Sequence, residues 1–162
     1  MDSRYGIHTI ELFHRVSKKD FNKVFHSLKS LNSGSFYPDP TYHSEKGLTK
    51  YICTSYCNQG VVLYLYQQVR SKNKTKKNHA PFIHFRLNPH TLLYGEYSPK
   101  KVFHAEDKQL KSLDKEMTKL LHKIGLNCDF EQLTLSRIDC CLDYFPDSQD
   151  WVDEALRVVR RS

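Results

Sequence analysis

The chain has 162 residues, 39% of them hydrophobic and 27% charged, which suits one folded domain and excludes a disordered or collagen-like polymer. Its 25 Lys and Arg outnumber 18 Asp and Glu to leave a formal charge of +7, and this balance favours a polyanionic partner, nucleic acid or an anionic surface. No apolar run approaches the roughly 20 residues of a membrane-spanning helix, and the polar opening MDSRYGIHTIELFHR is no signal peptide, so no membrane partner and a cytoplasmic location are expected.

The first element, YGIHTIELFHR, alternates as a strand, with Ile7, Thr9, Glu11 and Phe13 on one face and His8, Ile10, Leu12 and His14 on the other. Ser17 with Asp20 three residues later resembles a capping box, and Phe21, Val24, Phe25, Leu28 and Leu31 then form a helical apolar stripe that ends at Asn32-Ser33-Gly34. FYPDPTYHSEKGL, with two prolines and a glycine, predicts a loop holding a short edge segment. LTKYICTSYCNQGVVLYLYQQ predicts two strands joined at Asn58-Gln59-Gly60. The basic stretch RSKNKTKKNHAP leads into FIHFRLNPH, a strand that Pro89 stops.

A helical pattern opens at Ser98-Pro99, its clean stripe running from Leu110 through Leu113, Met117, Leu120, Leu121 and Ile124 to a glycine cap at Gly125. LTLSRIDCCLDYF is the next strand. Alternation puts Arg137, Asp139, Cys141 and Asp143 on one face and sends Ile138, Cys140, Leu142 and Tyr144 the other way, into a core, as in a buried central strand with one acid-lined side. A last helix is expected from Asp147, acids first and arginines last, in keeping with the helix dipole. The order β-α-β-β-β-α-β-α, rich in hairpins, predicts an α+β fold: a mostly antiparallel sheet with helices packed on one face and the other face open. The five cysteines fit no disulfide framework and are expected as thiols without a zinc site, Cys53 and Cys57 being at most half of one.

Chemistry concentrates on the polar sides of three strands. Asp139 and Asp143 lie about 13 Å apart along an extended chain, so a divalent ion would need one of them plus ligands from a neighbouring strand. Hard oxygen ligands favour magnesium or manganese. His84, Arg86 and Asn88 share one face of their strand; beside the aspartate strand, His84 would suit a metal and Arg86 a phosphate. Glu11 is a third acid candidate. The plainer readings are a surface Arg137–Asp139 pair, worth little, a solvated strand face, and an exposed glutamate. Arg70, Lys72, Lys74, Lys76 and Lys77 form an acid-free stretch suited to tracking a nucleic-acid backbone, or else a solvated hairpin loop. Tyr64, Tyr66, Tyr94 and Tyr97 are the tyrosines nearest the polar strands, and core packing or base stacking accounts for them as readily as nucleophilic attack. No Walker, HExxH or GxSxG motif is present.

Two stretches together, RLNPHTLLYGEYSP (Arg86 to Pro99) and LTLSRIDCCLDYF (Leu133 to Phe145), resemble the rolling-circle replication initiator family of Gram-positive plasmids, phages and conjugative transposons. Members show an R-[IV]-D-x-x-x-D strand preceded by an N-P-x-x-L-L segment and an amphipathic helix. The resemblance implies a fold related to nicking endonucleases of single-stranded DNA, in which strand acids hold a divalent ion and a tyrosine attacks the backbone. It carries over to Arg137, Asp139 and Asp143. The family's tyrosine lies downstream of this strand, so the resemblance implies that residues 1–162 are one domain, the N-terminal part of a longer initiator. The family's His-hydrophobic-His triplet is represented only by His84-Phe85-Arg86, with arginine in the third place.

The expectation is thus a DNA-binding domain of a replication initiation protein, alone or as a homodimer. It contacts single-stranded or origin DNA through Arg86, Arg137 and the basic stretch, and contributes Asp139, Asp143, His84 and Glu11 to a metal-dependent nicking site. The alternatives are a non-catalytic nucleic-acid-binding module and a protein-interaction domain of a mobile element.

Overall fold

The computed structural model describes residues 2–30, 36–38, 42–43, 50–58, 60–69, 80–95 and 102–145. Strand β1 (Asp2–Arg15) is followed by helix α1 (Lys18–Ser30), short strands β2 (Phe36–Pro38) and β3 (Tyr42–His43), and the hairpin β4 (Lys50–Asn58) and β5 (Val61–Val69). Strand β6 (Phe82–Leu87), helices α2 (Pro89–Tyr94) and α3 (Asp107–Lys123), a 3-10 turn (Phe130–Gln132) and β7 (Thr134–Phe145) complete the order. All strand pairings are antiparallel, in the sequence β2-β4-β5-β6-β1-β7 with β3 also on β4. The fold is α+β. No helix among the described residues is long and apolar enough to cross a membrane.

Local chemistry accounts for most boundaries. Ser17 caps α1: its hydroxyl accepts from the Asp20 amide at 3.1 Å and donates to the Asp20 carboxylate at 2.6 Å. The β4–β5 hairpin turns where Gly60 takes φ +80°, directly before Val61, as the Asn58-Gln59-Gly60 signal predicts. Helix α3 ends where Gly125, at φ +88°, donates to the His122 carbonyl and Leu126 donates to that of Leu121.

Alternation divides the sheet. Ile10 and Leu12 of β1, Val61, Leu63 and Leu65 of β5, and Ile83, Phe85 and Leu87 of β6 are buried in one cluster. Phe21, Val24 and Leu28 of α1 and Leu113, Met117, Leu120 and Leu121 of α3 pack into the same cluster. Both long helices therefore cover the same face. Phe13, Tyr64, Tyr66 and Phe82, which alternate to the other side, are absent from it.

Four expectations are corrected. The Asp139 strand is at the edge of the sheet, paired with β1 alone among the described strands; it is not a buried central strand. Ile138 and Cys140 do not enter the core: Ile138 is 42% exposed, Cys140 is exposed, and neither belongs to the buried cluster that the helices share with β1, β5 and β6; the side chains of Leu142 and Tyr144 lie outside the described residues. Pro89 does more than stop β6, since it opens α2, where the Asn88 side chain accepts from the Thr91 amide at 2.8 Å. Helix α3 starts at Asp107, later than Ser98-Pro99, and Leu110 in its first turn is exposed.

A further departure concerns β1. The β1–β7 register shifts between Ile7 and Thr9, so His8 is an extra residue there. The bulge reverses the phase of the strand, and Ile7, expected beside Thr9 and Glu11, instead packs against the core. The last helix, expected from Asp147, lies outside the described residues.

Candidate nucleic-acid interface

The uncovered face is built in rows that run across the strands. Arg86 of β6 and Arg137 of β7 both stand opposite Glu11 of β1, one on each side. His84 stands opposite Phe13 and Tyr64, and Phe82 opposite Arg15 and Tyr66. Rows lie about 7 Å apart along the strands, two residues of rise.

Glu11 is the hub. Its carboxylate is 3.4 Å from His84 Nε2, 3.8 Å from Arg86 Nε and 3.9 Å from Arg137 Nη1. Its side chain is only 17% exposed, whereas those of Arg86 and Arg137 are 53% and 58% exposed. The carboxylate is thus sheltered under two guanidinium groups that remain open to solvent. Arg137 also makes the tightest contact of the group, its Nε donating to Asp139 Oδ1 at 2.6 Å. A guanidinium has five N–H donors, so donors on both arginines are left for an anion arriving from outside.

Beside the cationic row stand two ring pairs. Tyr64 and His84 are stacked with centroids 5.7 Å apart, and Tyr66 and Phe82 are stacked at 4.6 Å with planes 11° apart. Because the paired rings face each other across neighbouring strands, they stand up from the sheet as ribs. Cross-strand pairs of this kind stabilise a sheet by themselves; on an uncovered face their outer edges and ends also offer aromatic surface.

The expected neighbours are rearranged. Strand β1 lies between β6 and β7, so His84 and Arg86 meet Glu11 and do not stand beside Asp139. Asp139 faces Thr9 in the β1–β7 register and is engaged by Arg137. Asp143 lies on β7 opposite Arg4; its side chain, and Arg70, Lys72, Lys74, Lys76 and Lys77, lie outside the described residues, as does Tyr97. Tyr94 closes α2 away from the hub, its ring 4.8 Å from His90 and its hydroxyl accepting from Gln109.

Among the described residues no three His, Cys, Asp or Glu side chains converge as a metal cage. Two guanidinium groups flank Glu11 and Asp139 is paired with its own arginine, so the arrangement as it stands suits an anion better than magnesium or manganese. Sequence reasoning put His84 and Glu11 with Asp139 and Asp143 in a metal site and gave Arg86 and Arg137 to DNA contact. It missed the convergence of His84 and both arginines on Glu11, and it missed Phe82 and Phe13, whose only signal was alternation in phase with His84 and Glu11. Comparison of the chain with protein-family models and with curated proteins finds no match.

Proposed function

We propose that this chain is the DNA-binding part of a replication initiation protein of a plasmid, phage or mobile element, and that its uncovered sheet face receives single-stranded DNA. One observation carries the reading: two exposed arginines bracket a sheltered carboxylate one row away from paired aromatic rings, on a face that no described helix covers. Single-stranded DNA is held by basic groups on phosphates and by aromatic side chains against bases, which is this combination. The offset between the rows, about 7 Å, is on the scale of one nucleotide. The net charge of +7 and the basic stretch 70–77 support the same partner. The replication role rests on the resemblance of the two quoted stretches to the initiators.

Titration of the chain with a single-stranded oligodeoxynucleotide tests the reading, with dye anisotropy for binding and tyrosine quenching, compared between the wild-type chain and Tyr64→Leu/Tyr66→Leu, for contact at those two rings. Binding that quenches tyrosine and weakens with salt is expected. Binding that survives in high salt, or none at all, contradicts it.

Metal-dependent nicking at an origin, in a fold related to nicking endonucleases, is the second reading, favoured by the contact between Glu11 and His84. Asp139 and Asp143 enter it through the RIDxxxD resemblance. Repeating the titration with manganese separates the two: a saturable ion site lost in Asp139→Ala supports nicking chemistry, and indifference to the ion supports binding alone.

A further inference from the structure

We propose that β7 is a self-association edge, and that two copies of this chain join antiparallel through it, centred on Ile138. Among the described strands β7 ends the strand order, and an edge strand leaves alternate backbone N–H and C=O groups unpaired along its outer side. It presents Ser136, Arg137, Ile138 and Cys140 as exposed residues, with Ile138 opposite Ile10 on the apolar side of the sheet yet 42% exposed and outside the buried cluster.

The sequence around Ile138 fits its own reverse. In an isologous pairing each residue meets its mirror about the two-fold axis. With the axis at Ile138, Arg137 meets the partner's Asp139 and Asp139 meets the partner's Arg137, while Ile138 meets the partner's Ile138. Opposite charges directly across an antiparallel pair are favourable and like charges unfavourable, so this register is selected and its neighbours are not. Shifting the axis by one residue, onto Arg137 or onto Asp139, would set arginine against arginine or aspartate against aspartate.

Within one chain Arg137 already donates to Asp139, so pairing converts two intrachain contacts into a ring of four alternating charges. On the other side of the sheet Ile138, which stands opposite Ile10, would extend the apolar row across the junction. The register shift that leaves Ser136 as an extra residue bends the strand at that point and confines the shared ladder to the stretch from Ser136 to Cys140. The join is therefore short, and its population depends on concentration. A two-fold axis perpendicular to the sheet puts both uncovered faces on one side; taken with the proposed function, this lines up two arginine brackets for a longer DNA strand.

The test uses the chain alone, without DNA, so its outcome is separate from that of the binding reading. Sedimentation of the wild-type chain across the micromolar range is expected to show a monomer–dimer equilibrium. Arg137→Asp sets like charges against each other at two places and is expected to raise the dissociation constant about tenfold or more; adding Asp139→Arg restores opposite charges and is expected to restore the dimer. Ile138→Cys in a Cys140→Ser chain adds a readout that does not depend on charge. Directly opposed residues sit about 4.5–5.5 Å apart at Cα, within disulfide range, so mild oxidation is expected to give a disulfide-linked dimer. A chain that stays monomeric throughout, a dimer indifferent to Arg137→Asp, or a double variant that fails to reassociate overturns the proposal.

Discussion

Replacing Glu11 by glutamine asks what the hub carboxylate does. Glu11 lies 3.8 Å from Arg86 and 3.9 Å from Arg137, and a phosphate oxygen taken by the outer donors of either arginine would lie about 3 Å beyond. The carboxylate and the phosphate would then be about 7 Å apart. Two like unit charges at that separation repel by about 0.6 kcal/mol in water, and by more in a drier setting. Glu11→Gln removes the repulsion while keeping the side chain's length and an oxygen acceptor. Single-stranded DNA should therefore bind about threefold tighter, with the salt slope unchanged because the arginines remain. The fold should lose no more than about 1 kcal/mol, since both arginines are more than half exposed and solvent screens such pairs. Anisotropy titrations at fixed salt and urea denaturation read the two effects. Weaker binding by Glu11→Gln would refute this reasoning and assign Glu11 to holding the arginines in place or to a metal ion.

Three further outcomes follow from the packing. At Gly6 an added Cβ would run into the Val102 side chain and come within 3.1 Å of the Phe103 carbonyl, where Ile7 and Phe103 exchange backbone hydrogen bonds; Gly6→Ala should cost about 1–3 kcal/mol, read as a lower thermal midpoint, and a neutral change would contradict the close approach. Asn88→Ala removes the cap on the Thr91 amide and should cost about 1 kcal/mol in denaturant. Burial, then the adjacent Asp129, push the Cys128 thiol above its ordinary value of 9.0. Its contribution to stability is whole below pH 9.0 and is lost as pH rises through the raised value. Iodoacetamide at neutral pH should accordingly label exposed Cys140 well before Cys128.

The α+β class was legible because period and punctuation agree. The Phe21–Val24–Leu28 stripe, the Leu113–Met117–Leu121 stripe and Gly125 each carry one unambiguous signal. Strand neighbours were not legible. Alternation says which residues share a face, but nothing in FIHFRL or SRIDCC says that β1 runs between them, and that fact moves the centre of the site from Asp139 to Glu11. The edge position of β7 was hidden for a similar reason. Ile138 and Cys140 follow the pattern of a strand apolar on one side, and only the placement of α1 and α3 decides whether anything lies beneath them. The extra residue at His8 has no marker of its own, since neither glycine nor proline stands there. The short helix α2 carries an ambiguous signal, because a proline after a strand marks a stop while Asn88-Pro89 is equally a helix start.

The most direct test of the sheet face as a DNA-binding surface is the salt dependence of single-stranded DNA affinity for the wild-type chain and for Arg86→Ala/Arg137→Ala. Each phosphate contact on a single strand contributes about 0.7 to the slope of log affinity against log salt. The double variant should bind more weakly at low salt, with its slope reduced by about 1.4. An unchanged affinity and slope would place the DNA elsewhere on the chain and contradict the proposed face.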